Sequence, residues 1–160
     1  PLESATGLFW INGTMLVSFF IFGYILPKIT KLGFKTMRLM KIGLPVSYLF
    51  LLIIIISGEN AGTIHFTMYI LTSIVLTLAQ PAVALSFPTS LAGKSLTSFN
   101  LLIFVGTFIM QWGIGLIIDL SQSLGKSEVV SFQISFFVYL LICIFSYLYF
   151  ILKNKNLVNE

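Results

Sequence analysis

The chain has 160 residues, of which 58% are hydrophobic and only 9% charged, with a mean hydropathy of +1.03 and a formal net charge of +4. A soluble domain carries about 25% charged residues, so this composition cannot coat a water-facing surface and excludes an ordinary soluble globular protein. The basic excess does not point to nucleic acid, because the Lys and Arg residues lie in short stretches between long apolar runs.

Five such runs succeed one another, at roughly 5–27, 37–57, 63–87, 95–120 and 129–152. Each is about 20–26 residues long, enough to cross ~30 Å of hydrocarbon as a tilted helix. The expected fold is therefore all-α: a polytopic transmembrane bundle of five spans, forming a single module over residues 1–160. The chain opens on Pro1 with no signal-peptide pattern, and its first apolar run begins almost at once. A piece of a longer chain is the expectation.

The first span carries Thr14 and Ser18 four residues apart, with Trp10 near its start. After it comes the most basic stretch of the chain, with Lys28, Lys31, Lys35, Arg38 and Lys41. The second span contains Gly43 and Pro45, a candidate kink. The next connection holds Glu59 and no basic residue. His65 falls at the start of the third span and is expected to be interfacial, since one histidine with no Cys or carboxylate nearby makes no metal site. Along that span Ser73, Thr77 and Gln80 form a polar stripe, and Pro81 marks a second candidate kink.

Lys94 precedes the fourth span. At 100° per residue Asn100, Thr107 and Gln111 fall within about 20° of one another on that helix, along about 16 Å of its axis. Gly106 and Gly113 share another face, and Asp119 lies near the span's end. Lys126 and Glu128 come next. The fifth span contains the single cysteine, Cys143, which can form no intrachain disulfide, and approaches its end with Tyr147 and Tyr149, expected as interfacial anchors. The tail carries Lys153 and Lys155. Alternate connections thus hold eight basic residues against one, which by the positive-inside rule puts the rich side, and the C-terminus, in the cytoplasm.

Amide and hydroxyl groups facing lipid would lose their partners at a cost of several kcal/mol. The two polar stripes should therefore face other helices or a wet cavity. As helix glue such bonds average about 0.6 kcal/mol; as cavity lining, the amides could hydrogen-bond a polar solute. Both readings stay open for Asn100, Thr107, Gln111, Ser73, Thr77 and Gln80. No phosphate loop, Ser/His/Asp set or Cys/His cluster is present, so neither an enzyme nor a metal or cofactor is expected.

The segment Phe87-Pro88-Thr89-Ser90-Leu91-Ala92-Gly93-Lys94, then Ser98-Phe99-Asn100, Gln111-Trp112-Gly113-Ile114-Gly115 and Ile118-Asp119, resembles the tenth-to-eleventh helix region of bacterial major facilitator superfamily permeases. The run Gly23 to Lys28, with Lys31-Leu32-Gly33-Phe34-Lys35, resembles that superfamily's degenerate basic loop between helices eight and nine. The resemblance implies helices eight to twelve of a twelve-helix secondary transporter in the bacterial inner membrane. A small solute would pass by alternating access between two halves, the N-terminal half lying outside this sequence. Under it the two stripes line the substrate pathway. Lys28, Lys31, Lys35, Arg38 and Lys94 sit in cytoplasmic loops, and any coupling proton uses carboxylates of the missing half. The rival readings are a non-transporting membrane subunit or scaffold, whose stripes only join helices, and a membrane-embedded enzyme.

Overall fold

The computed structural model describes residues 2–153. Six α-helices account for nearly all of them: α1 (Leu2–Lys31), α2 (Thr36–Ser57), α3 (Thr63–Ser73), α4 (Ala79–Leu85), α5 (Ala92–Ser123) and α6 (Glu128–Lys153). A 3₁₀ stretch, Ile74–Leu78, joins α3 to α4, so the third apolar run is one broken rod and the chain has five helical segments long and apolar enough to cross a membrane. There is no strand among the described residues. The chain is an all-α, multi-pass membrane protein.

The helices run further than the apolar runs. α1 continues through Pro27 to Lys31, and α5 spans 32 residues where 95–120 was expected. The loop assignment of four cations is corrected accordingly. Lys28 and Lys31 occupy the last turn of α1, Arg38 lies in the first turn of α2, and Lys94 in the first turn of α5. Of the five cations expected in loops, Lys35 alone stands outside a helix, as the extended residue before α2. Lysines at a helix C-terminus complement its negative end, which explains why α1 does not stop where its hydrophobicity does. Lys28 also lies 3.9 Å over the Tyr24 ring one turn back. Lys155 lies outside the described residues.

Two helix ends use the same stop. At α1 the Gly33 amide donates to Thr30 and the Phe34 amide to Ile29, with Gly33 at φ +90°. At α5 the Gly125 amide donates to Gln122 and the Lys126 amide to Ser121, with Gly125 at φ +78°. These are Schellman closures, whose left-handed residue is favourable only for glycine or a small polar side chain.

The chain divides into two compact units, one of the residues up to Leu76 together with those from Leu140 on, the other Thr77–Tyr139. In the first unit α3 packs against both α1 and α2. The buried face of α2 is Met40, Leu44, Ser47, Leu51, Ile54 and Ile55. That four-then-three spacing is a helical seam, held in a bilayer by close packing rather than by exclusion of water. Two glycines permit the approach. A Cβ at Gly43 would stand 2.6 Å from a Val75 methyl, and one at Gly7 would stand 2.9 Å from the Thr63 hydroxyl.

Pro45 lies inside α2 and has no N–H to give the Lys41 carbonyl four residues back. The Tyr147 hydroxyl of α6 donates to that carbonyl at 2.9 Å, and its ring meets Tyr48 edge-on at 6.0 Å. Tyr147 is therefore a partner of a proline-broken helix. Ser18 is likewise spent locally, its hydroxyl donating to the Thr14 carbonyl at 2.6 Å. His65 finishes an N-terminus: its Nδ1 accepts the Gly62 amide at 3.2 Å while its own amide donates to the Gly62 carbonyl at 3.0 Å.

Candidate functional site

The second unit holds most of the predicted polar residues. Pro81 cannot donate to the Thr77 carbonyl, and its ring crowds that oxygen; the chain responds with the 3₁₀ stretch Ile74–Leu78 just upstream. A 3₁₀ turn advances about 120° per residue against 100° in an α-helix. The stripe expected of Ser73, Thr77 and Gln80 is interrupted there, its three residues falling in α3, in the 3₁₀ stretch and in α4. Ser73 ends α3 and donates to the Tyr69 carbonyl of its own helix at 2.7 Å. Thr77 lies within the 3₁₀ stretch, and Gln80 lies in the first turn of α4.

Gln80 turns toward α5. Its Nε2 donates to Asn100 Oδ1 at 3.1 Å, joining the two polar patterns read separately on spans three and four. This amide pair crosses between α4 and α5, which pack along each other. Asn100 is thereby engaged in helix pairing.

Seven residues along the same face of α5, Thr107 and Gln111 do something else. They line a cleft of about 400 Å³ with Leu102, Ile103, Gly106, Met110 and Ile114 of α5 and Tyr139 of α6. Gly106 has open space where a Cβ would stand, so part of the cleft's room comes from that missing side chain. Both Thr107 and Gln111 are exposed, and neither has a hydrogen-bond partner among the described residues. The lining carries no carboxylate, ammonium or imidazole. It offers the hydroxyl and amide groups that donate to and accept from an uncharged polar molecule, against apolar walls.

A set of buried serines that the polar stripes do not include lies on α5 and α6. Ser131 and Ser135 of α6 are fully buried, and Ser121 of α5 is nearly so. The Ser135 hydroxyl donates to the Ser131 carbonyl at 2.8 Å and reaches the Ile114 carbonyl of α5 at 3.5 Å. The signal was present in the four-residue spacing of Ser127, Ser131 and Ser135, a small-residue face of the kind that lets membrane helices approach. Asp119 is exposed on α5, one turn before the helix ends.

Compared with family models, with curated proteins and with solved structures, the chain has no match.

Proposed function

We propose that this chain is part of a secondary active transporter that carries a small polar solute by alternating access, corresponding to the C-terminal portion of a major facilitator superfamily permease in a bacterial plasma membrane. The observation that carries the reading is the pair Thr107 and Gln111, open on a cleft and without protein partners among the described residues. An unpaired amide in hydrocarbon costs several kcal/mol, and water or solute in the cleft would remove that cost. The resemblance of the Phe87–Lys94 and Gln111–Gly115 segments to the tenth-to-eleventh helix region supports the same assignment. In this proposal the basic ends of α1, α2 and α5 lie on the cytoplasmic side, a placement the charge asymmetry supports, and further helices complete the pathway.

The test is uptake and efflux of a panel of uncharged polar solutes in cells making the protein, with Gln111→Leu as the comparison. Transport lost in Gln111→Leu at unchanged membrane abundance is the expected result. A panel unaffected by the presence of the protein argues against it.

One observation favours a second reading. The Gln80–Asn100 bond is a case of amides of this chain joining helices, which is the behaviour of a membrane scaffold or assembly subunit. In that case a partner helix covers Thr107 and Gln111, and solute movement does not depend on them.

A further inference from the structure

A second cleft of about 440 Å³ lies where α4 meets the start of α5. Its walls are Val83, Phe87, Leu91, Phe99 and Leu102, and the polar residues along it are Lys94, Ser98 and Ser95, whose hydroxyl is taken up by the Ala92 carbonyl at 2.9 Å. No acidic residue lines it, and Lys94 has no ion-pair partner among the described residues. The cation is also oddly placed. Lys94 lies in the first turn of α5, at the positive end of the helix dipole, where an acidic residue would be favourable and a lysine is not. That end has no acidic residue in its first turn and no side-chain cap.

We infer that this cleft holds an anionic phospholipid, its phosphate on Lys94 and Ser98 and an acyl chain along Val83, Phe87, Phe99 and Leu102. Three observations converge on an amphiphile of that charge. The walls are apolar and aromatic, which suits a hydrocarbon chain. The single charge along the cleft is positive and unpaired, which suits a phosphate. An anion at this point would also offset the like sign of Lys94 and the N-terminal end of α5, which no acidic side chain does. Among possible occupants a lipid is favoured over a soluble anion, because a small anion leaves the apolar walls empty. The site lies within the second unit and does not depend on the transport assignment.

The experiment places a fluorescent reporter in the cleft. Phe99→Trp is made in a background carrying Trp10→Phe and Trp112→Phe, and the protein is put into nanodiscs with bromine-labelled phosphatidylglycerol or phosphatidylcholine at equal mole fractions. Quenching by the anionic lipid is expected at about fivefold lower mole fraction, the preference of one well-placed lysine for an anionic headgroup. The preference should vanish in Lys94→Gln and shrink at high salt. Phe87→Trp serves as reporter on the opposite side if Phe99→Trp does not fold. Equal quenching by both lipids, or a preference that survives Lys94→Gln, overturns the inference. So does a preference abolished by inorganic phosphate at constant ionic strength, which would make this a site for a soluble anion. Quenching by neither lipid overturns it as well, since protein would then fill the cleft.

Discussion

Pro45 removes one backbone donor from α2, and Tyr147 supplies another from α6. A carbonyl left bare at that point costs about 1–3 kcal/mol. Tyr147→Phe should lower stability by about 1 kcal/mol, read as an earlier unfolding midpoint in detergent. The sharper check is the double variant. Pro45→Ala restores an N–H to the Lys41 carbonyl, so Tyr147→Phe should cost much less in that background; equal costs in both backgrounds would exclude the compensation. Gly43 gives a second prediction at the same scale. Its absent side chain makes room for Val75, so Gly43→Ala should destabilise by about 1–3 kcal/mol through overpacking. Val75→Ala should recover part of that loss. Pro45 was legible as a candidate kink, and a helix-interior proline orphans the carbonyl four residues back; the close approach of Val75 to Gly43 was not legible. Nor was the identity of the donor, 106 positions away.

At the scale of elements, the number and rough extent of the spans were legible because run length alone separates membrane helices from soluble ones. Their ends were not. Lys28 and Lys31 are polar yet helical, since a lysine at a C-terminal turn gains from the dipole and can extend its amine toward the interface. The break in span three was half legible: Pro81 announced a kink, but the distortion falls at Ile74–Leu78, upstream of the ring that causes it. The two stripes gave the right residues for contact between α4 and α5 without their pairing, because periodicity defines a face and not the register between faces. The Gln80–Asn100 bond is expected to show a coupling of about 0.6 kcal/mol, and no more than about 1.7, in a double-mutant cycle with Gln80→Leu and Asn100→Leu. Additive losses would mean that the amides do not meet in the membrane. Gly125→Ala should shorten α5 or destabilise it by about 1–2 kcal/mol, because φ +78° is costly for any residue with a Cβ.

For the whole molecule, the central question is what Thr107 and Gln111 face. Asn100 shares their side of α5 and has found a protein partner, so the face is not uniformly a pathway. The part that remains open is the cleft roofed in part by Tyr139, and no periodicity could have separated the paired amide from the unpaired one. Transport requires that this cleft meet water, whereas a scaffold requires that it be covered. The most direct measurement is thiol labelling of Gln111→Cys in native membranes, in a Cys143→Ala background, with a membrane-impermeant reagent applied to each side in turn. Labelling at Gln111→Cys, with Leu101→Cys on the same helix left unlabelled as a lipid-facing control, is the result that a solute pathway predicts. A Gln111→Cys protein that stays unlabelled from both sides, while folded and present in the membrane, would contradict it.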